Sequence, residues 1–234
     1  MTLKRSTSLL PVVLLCCLGV QILTLIVIGG QGLAIRRLHD KQPPSLVQMT
    51  DGHAIRVQAV AAEQRTPAVI KVFTSNAMTQ LMNMSGTLPD TEGDRIQDPG
   101  IDIETPNGTA KVTSASMTAS FTLAEDFRLP FLQKLAELTP PGVFRGTTQV
   151  VLIIDTVSEP EEVAPGKWQL KMLAHLAVFN GGQAPQQTIP FNREITVEAT
   201  TAPVVPEGET PLEQAVYAVR QAGLMITDIR PLER

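Results

Sequence analysis

The sequence predicts an α+β protein: one N-terminal transmembrane helix followed by a curved antiparallel sheet packed with helices. Three observations lead to this class. An uncharged apolar run covers Leu9 to Ile28, segments with strand periodicity cluster late in the chain, and segments with helical periodicity lie mostly early. Helices and strands that do not alternate favour α+β over a parallel α/β arrangement, and short links between the late strands favour antiparallel pairing.

Residues 9–35 are predicted to form the membrane anchor, after a short tail at residues 1–8. A bilayer core about 30 Å thick is spanned by about 20 apolar helical residues. Leu9 to Ile28 meets that length and contains only Gln21 and Thr24 as polar residues. We therefore expect one helix that crosses the membrane.

A cleaved signal peptide is the rival interpretation, because Lys4 and Arg5 form a basic leader. The apolar part of a signal peptide is about 7–15 residues long and ends in a small-x-small site, and this chain departs from both features. Basic residues flank both ends of the run, with Arg36, Arg37 and Lys41 after it, so charge alone does not orient it. A short tail before a large domain favours the domain on the non-cytoplasmic side.

Residues 45–234 are predicted to form one soluble domain. Five of the 19 basic and one of the 23 acidic residues lie at or before Lys41, so the remainder carries 14 basic and 22 acidic side chains, a net of −8. Such a surface repels phosphate backbones and argues against nucleic-acid binding. Cys16 and Cys17 both lie in the apolar run, so the domain has neither a disulfide nor a thiol nucleophile.

Residues 36–44 are predicted to form a polar linker, after which a hairpin is expected. Ser45 to Met49 and Ala54 to Val60 are short strand-like runs around Asp51-Gly52, a dipeptide that suits the positive φ angles of a tight hairpin turn.

The first helix of the domain is predicted to run from Pro67 to about Met84, with Thr66 as its N-cap. Apolar residues at helical spacing form its expected buried stripe: Ile70, Phe73, Ala77, Leu81 and Met84. Residues 85–113 are then predicted to be a long loop or disordered insertion, because prolines, glycines and six acidic residues interrupt the pattern.

A second helix is predicted to open at a capping box formed by Thr122 and Glu125 and to continue through Leu138. Pro130 is expected to kink or divide it. The apolar residues expected on one of its faces are Phe127, Phe131, Leu135 and Leu138.

Three strands are predicted next, at Thr148–Thr156, Lys167–Phe179 and Gln187–Ala199. The continuous apolar run Val150 to Ile154 suggests burial on both faces. The second strand alternates, and its expected inward residues are Trp168, Leu170, Met172, Ala174, Leu176 and Val178. The third is expected to point Ile189, Phe191, Ile195 and Val197 inward, and the links between strands are predicted to be loops.

A last helix and strand are predicted near the end. Thr210, Pro211 and Glu213 repeat the cap, proline and capping-box arrangement, and Gly223 should stop the helix. Leu224 to Ile229 can form the final strand.

No catalytic, cofactor-binding or metal-binding constellation is evident. The histidines are isolated and none has zinc-ligand spacing: His39, His53 and His175. Asp90, Glu92 and Asp94 alternate as calcium ligands do, but Gly93 falls in the wrong place for a calcium loop. We therefore expect no enzyme activity, no cofactor, and a packed or surface role for His175.

Arg193 is the polar residue of greatest interest. Strict alternation places it on the inward face with Phe191 and Ile195, where an unpaired guanidinium would need a carboxylate or would mark a pocket. The alternative is a bulge near Pro190 that shifts the register and returns Arg193 to water.

In architecture the chain resembles the single-pass inner-membrane proteins of bacterial type IV secretion and conjugation systems. The stretches that carry the resemblance are Leu46 to Val60 and the helix from Thr66, with Val219 to Leu232 as the closing segment. The family's closing Asn-Pro-Leu-Gly pattern stands here as Gln221-Ala222-Gly223-Leu224. The resemblance implies a nuclear-transport-factor-two-like periplasmic domain that scaffolds channel subunits. The chain also resembles cyanobacterial proteins, which adds the thylakoid membrane to the inner membrane as a location.

Two functions from different classes follow. The first is a membrane-anchored, non-enzymatic scaffold or assembly component that contacts lipid through its anchor. Its domain would bind other membrane-complex proteins through the sheet's exposed face or an edge, with homo-oligomerisation left open. The second is a ligand-binding or enzymatic domain with a pocket near Arg193. A purely structural envelope protein is a third, plainer hypothesis.

Overall fold

The computed structural model describes residues 15, 17–25, 27–28, 31, 45–48, 54–57, 64–89, 94–203 and 210–232. The chain divides into two compact units, Met1–Val60 and Ala61–Arg234. In the first unit the described residues between 15 and 31 are helical. Strand β1 (Ser45–Gln48) pairs antiparallel with β2 (Ala54–Val57), which confirms the predicted hairpin; its turn lies outside the described residues. Of the helices that the described residues form, none combines the length and the hydropathy that a membrane crossing requires.

The second unit is a mixed α+β structure, as predicted. Its described α-helices are α1 (Pro67–Met82), α2 (Ser114–Ala119), α3 (Glu125–Leu138) and α4 (Pro211–Arg220). Two 3-10 turns lie at Ser120–Thr122 and Val143–Arg145. The strands of two small hairpins are β3 (Thr87–Pro89), β4 (Arg95–Gln97), β5 (Ile101–Thr105) and β6 (Gly108–Val112). The strands of the main sheet are β7 (Gln149–Val157), β8 (Glu161–Ala164), β9 (Lys167–Phe179), β10 (Gln187–Pro190), β11 (Arg193–Ala199) and β12 (Leu224–Pro231).

The main sheet is antiparallel and organised around β9. On one side β9 pairs with β7 and β8, and on the other with β10 and β11, while β12 adds to β11. The inward residues of β9 alternate as predicted: Trp168, Leu170, Met172 and Ala174 are buried, and Leu176 and Val178 are half-buried. This face meets α1 and forms the core.

Helix α1 forms where the sequence places it. Its N-cap is Thr66, whose hydroxyl accepts a hydrogen bond from the Val69 amide at 3.4 Å. All five residues of the predicted stripe are buried, from Ile70 at 0% exposure to Phe73 at 7%. Met84 lies just beyond the helix and its backbone exchanges two hydrogen bonds with Val150 of β7, which ties α1 to the sheet edge.

The prediction of a loop at residues 85–113 is wrong for the residues of this range that the structure describes, 85–89 and 94–113. Two antiparallel hairpins, β3–β4 and β5–β6, occupy most of it. Ile103 and Val112 are 7% and 0% exposed, so the second hairpin joins the core through residues too widely spaced to signal a strand. The predicted loop after β7 is also interrupted, because β8 pairs with β9.

The second predicted helix is present as α3, but the predicted capping box is wrong. Ala124 is the N-cap, and no side chain caps the helix. The Thr122 hydroxyl lies in the preceding 3-10 turn and donates to the Ala119 carbonyl at 2.7 Å. Pro130 sits within one undivided helix, and Leu138 is 61% exposed rather than buried.

Strand β7 alternates instead of being buried on both faces. Val150 and Leu152 are each 5% exposed, whereas Ile153 is 41% exposed. The reason is that α1 covers the face with Val150 and Leu152, and the described elements leave the Ile153 face open to solvent.

Asp98 fastens the segment between the two hairpins to helix α2. Its side chain is 1% exposed, accepts from the Gly100 amide at 2.9 Å, and accepts from the Ser114 hydroxyl and amide at 2.7 and 2.8 Å. Because Ser114 is the first residue of α2, the carboxylate also lies at the positive end of a short helix. A buried carboxylate satisfied in this way holds the chain path locally.

The last helix and strand confirm the sequence-based prediction. The Thr210 hydroxyl accepts from the Glu213 amide, which makes Thr210 the predicted N-cap, and it donates to the Glu213 carboxylate at 2.7 Å in place of the backbone bond of a full capping box. Gly223 has φ +61° in the turn before β12. A Cβ on Gly223 would meet the Arg65 guanidinium and, at 2.9 Å, the Thr200 carbonyl.

Replacing Gly223 by Ala is expected to lower the free energy of unfolding by roughly 2–4 kcal/mol, from a strained positive φ plus the lost space for Arg65. Gly146→Ala is the matched control, because Gly146 has φ +69° and a Cβ added there would meet no heavy atom within 4 Å. Urea unfolding followed by circular dichroism measures both. Equal losses would show that the close approach to Arg65 contributes nothing.

Asp98→Ala is expected to cost roughly 2–4 kcal/mol of unfolding free energy, because the amides of Gly100 and Ser114 lose a buried acceptor. Asp102→Ala is the control, since Asp102 is exposed and its ion pair with Lys111 is long at 3.8 Å; it should cost about 0.5 kcal/mol or less. A mild Asp98→Ala effect, similar to that of the control, would contradict the role given to this carboxylate.

Candidate interaction groove

A groove lies between α1 and α4. Residues of α2 and of the 3-10 turn close its third side. Its cavity volume is about 680 Å³, and the residues that line it are Ala68, Val69, Val72, Phe73, Asn76, Ala77, Gln80, Thr118, Thr122, Ala215, Ala218, Val219, Gln221 and Ala222.

Helix α1 presents two faces. One face is the buried stripe against the sheet, of which Phe73 and Ala77 also line the groove, and the other face borders the groove. Val69 and Val72 are 41% and 59% exposed there, and Asn76 and Gln80 continue the same face at helical spacing. The buried stripe alone is enough to pack α1 against the sheet, so the exposed apolar residues Val69 and Val72 are not needed for that packing.

Helix α4 supplies a smooth opposite wall. Its groove residues Ala215, Ala218 and Val219 recur at helical spacing, and Ala222 follows in the turn after the helix. Small side chains leave the trough between the two helices unfilled. The wall is therefore apolar and lets another backbone come close.

Arg65 fixes one end of the groove. Its guanidinium donates to the carbonyls of Ala222 at 3.0 Å, Gly223 at 3.1 Å and Thr200 at 3.3 Å. These bonds join the residue ahead of the α1 N-cap to the turn after α4 and to the residue after β11. At the other wall Arg220 donates through Nε to the Phe121 carbonyl at 2.7 Å. The spacing of the two helices is thus set by polar bonds at their ends.

The lining offers contact surface and uncharged hydrogen bonds, and no acid–base chemistry. Its polar side chains are the amides of Asn76, Gln80 and Gln221 and the hydroxyls of Thr118 and Thr122. None of the described residues that line the groove is charged. The Thr122 hydroxyl is already used within its own turn.

Arg193, the residue singled out from the sequence, lies elsewhere, on the inward face of the sheet. Pro190 pairs with His175 and Arg193 pairs with Met172, so the register of β10 continues into β11 without a shift. The alternative of a bulge near Pro190 is therefore wrong. Asn192 lies between β10 and β11, and its side-chain oxygen accepts a hydrogen bond from the Ala174 amide at 3.1 Å in place of a backbone carbonyl.

The Arg193 guanidinium stacks on the Phe191 ring, with Cζ 3.8 Å from the ring centroid. Its Nη1 donates to the Asn192 carbonyl at 2.8 Å. Among the described residues no carboxylate lies within ion-pair distance of it. Partial burial lowers the pKa of Arg193 from its ordinary value, although an arginine remains cationic at neutral pH. The half-buried guanidinium therefore stacks on the Phe191 ring but has no carboxylate partner among the described residues.

His175 forms a pair that the sequence did not predict. Its Nδ1 lies 3.1 Å from the Asp155 carboxylate on the outward face of β9. Asp155 is the extra residue of a bulge, since Ile154 pairs with Ala174 and Thr156 with Leu173. The bulge turns Asp155 toward His175. Both side chains are partly exposed, as expected for a surface histidine.

The described part of the chain shows no metal site among the other candidate residues. Within the described ranges no group of three or more His, Cys, Asp or Glu could hold a metal ion. His39, His53, Asp90 and Glu92 lie outside the described residues. The groove itself was missed from the sequence, although the apolar Val69 and Val72, adjacent to a complete buried stripe, were a usable signal.

No protein-family profile and no curated protein matches the sequence. Several solved structures are similar to the chain, among them the following two. One is the soluble domain of the TrwG type IV secretion machinery from Bartonella grahamii, with 10% identity, a TM-score of 0.43, and coverage of 71% of this chain and 94% of that one. The other is a periplasmic fragment of TraM, with 11% identity, a TM-score of 0.40, and coverage of 71% and 96%. The first is of the class that the sequence resemblance named, and neither tests the nuclear-transport-factor-two-like detail.

Proposed function

We propose that this protein is a membrane-anchored, non-enzymatic scaffold of a multi-protein envelope complex, similar to a type IV secretion component. Its α1–α4 groove would bind an apolar-faced helix of a partner membrane-complex protein. The observation that carries the proposal is the groove: an uncharged, largely apolar trough between two helices.

The dimensions of the groove favour a helix as its occupant. Its α1 wall runs from Val69 to Gln80, about 16 Å at 1.5 Å per residue, which is three helical turns. The two walls are side-chain stripes on α1 and α4, and a helix that lays its apolar face between them would pack ridges into grooves. The alanines of α4 allow close approach.

The chemistry of the groove favours an apolar contact face. The exposure of Val69 and Val72 leaves surface that gains stability when it is covered, at about 25 cal/mol per Å² of apolar area. A charged contact face would bury its charges against an uncharged lining, at a cost that nothing there repays. The amides of Asn76 and Gln80 can pair with polar groups at the margin of the helix.

The other parts of the proposal rest on the sequence. The uncharged run Leu9 to Ile28 supports a single-pass anchor in the bacterial inner or thylakoid membrane, with the domain on the non-cytoplasmic side. The resemblance supports a nuclear-transport-factor-two-like cone for the second unit and a scaffolding role between subunits of a complex. A lining without an acid–base pair supports a binding role over a catalytic one.

Val72→Asp should strongly weaken partner binding with little change in stability, because Val72 is 59% exposed and lies on the α1 wall of the groove. Full-length protein carrying a photo-crosslinking residue at position 72 identifies the partner, and quantitative pull-down then compares variants. We expect the crosslinked peptide to be an apolar-faced helical segment of a membrane-complex protein, and a loss of at least about tenfold in its recovery with Val72→Asp, or 1.4 kcal/mol.

Val163→Asp is the matched control, since Val163 on β8 is 52% exposed and outside the groove. Recovery of the same partner should survive it. Crosslinks to many unrelated peptides, or equal losses from both substitutions, would remove the groove from the proposal. Loss through substitution of Leu173, 43% exposed on the sheet's outward face, would instead support docking on the sheet.

Protease added to sealed, inside-out vesicles should leave residues 61–234 intact, because the proposal places them in the vesicle lumen. Detergent should make the same bonds cleavable. Recovery of the chain in the soluble fraction, or cleavage without detergent, would refute the anchor or the orientation, whereas the groove stands or falls with the crosslinking experiment.

A further inference from the structure

We propose that Arg193 and the apolar strip beside it form a second binding site, on the inward face of the sheet, for a carboxylate carried on an apolar body. The site is separate from the α1–α4 groove and does not depend on the scaffold function.

The cationic end of the site is fixed by its neighbours. Cross-strand pairing sets Met172 and Pro231 on either side of Arg193, and opposed residues in an antiparallel sheet share a face. Met172 is fully buried. Stacking on Phe191 and the bond to the Asn192 carbonyl hold the guanidinium plane in place. Its other nitrogens have no protein partner among the described residues, so two parallel donors remain for a carboxylate.

The apolar end continues along the same face from Phe191. Ile189 pairs with Leu176, and both lie on the inward side of the sheet. Ile189 is 40% exposed and Leu176 only half-buried, so the described helices leave this corner open. Ile189 on β10 and Arg193 on β11 are four residues apart in the chain, and both strands pair with β9 in one continuous register. Their Cα atoms are therefore about 13 Å apart.

Charge complementarity decides the kind of ligand. A half-buried guanidinium without a counter-ion gains from an anion more than an exposed one does, because water screens it less. An inorganic anion would satisfy the cation and leave Ile189 and Leu176 exposed. An apolar carboxylate satisfies both ends. A fatty acid and a peptide with an apolar C-terminal residue share this chemistry.

The test measures thermal unfolding of the full-length protein with hexanoate, with the uncharged hexanol, and with an Ala-Val-Leu peptide as free acid or as amide. We expect carboxylates to raise the melting temperature by roughly 3–5 °C at ten times the dissociation constant, and hexanol or the amide to raise it by less than about 1 °C. A larger effect of hexanoate than of the peptide acid assigns a fatty acid, and the reverse assigns a peptide C-terminus.

Arg193→Gln should abolish the ligand-dependent shift, measured against that variant's own melting temperature. Arg230→Gln is the matched control, because Arg230 lies one residue from the Arg193 partner Pro231, on the opposite face, and pairs with Asp228. It removes the same charge and should keep the full shift. Arg193→Lys, which keeps charge and stem but loses the fork, serves if the Gln variant does not fold and should reduce the affinity several-fold.

No carboxylate-dependent shift in the parent protein would overturn the proposal. Equal shifts in the parent and in Arg193→Gln would also overturn it, since they would place the effect elsewhere on the chain. Loss of the shift in Arg230→Gln as well would trace the effect to overall charge, with the same consequence.

Discussion

Strand β9 is the element on which the rest of the second unit depends. Its two edges bind four other strands, β7, β8, β10 and β11. Four consecutive inward side chains, from Trp168 to Ala174, are buried. Any slip of one residue would turn these side chains to solvent and would move four pairings at once. The register of β9 sets the positions of its neighbours β7 and β11, against which α1 packs, and so helps to place one wall of the groove.

The helices around the groove are held apart by polar bonds at their ends, and this explains why an apolar trough stays open. Arg65 ties the start of α1 to Gly223, and Arg220 ties α4 to the 3-10 turn at Phe121. If α1 and α4 packed directly against each other, Val69 and Val72 would be covered. Because the end contacts fix their separation, that apolar surface remains available for a partner.

The stretch that begins at β10 both protects the free edge of the sheet and places the Arg193 guanidinium on the inward face. Pro190 has no amide hydrogen to offer to another strand, and β10 is only four residues long. The Asn192 side chain then restores the pairing that allows Arg193 to stay in register. The stretch from Pro190 to Arg193 thus both protects the edge and places Arg193. It is also the stretch where the sequence left a bulge open as the alternative.

Local signals were enough for much of the fold. Thr66 with Pro67, Thr210 with Glu213, and the alternation of Lys167 to Phe179 each fixed an element through bonds or periodicity within a few residues. The same reasoning failed at Thr122, whose hydroxyl is used by a preceding 3-10 turn, and at Val150 to Ile154, where hydropathy does not tell which face a helix will cover. For Arg193 the sequence left two outcomes open, the inward face by alternation and a bulge that returns it to water, and the pairing of β10 and β11 with β9 excludes the bulge. Its stacking on Phe191 and the absence of a carboxylate partner among the described residues were not accessible from the sequence.

What the sequence by itself determined is the α+β class, the positions of the main helices and strands, and an uncharged apolar run ahead of them. What only the tertiary structure decided is which apolar residues remain uncovered. Val69 and Ile70 are adjacent and both apolar, yet one is 41% exposed and the other fully buried. That difference depends on the packing of α1 against β7, β11 and β12 and on the bond from Arg65 to Ala222. These contacts join segments far apart in the chain, which no local pattern can encode.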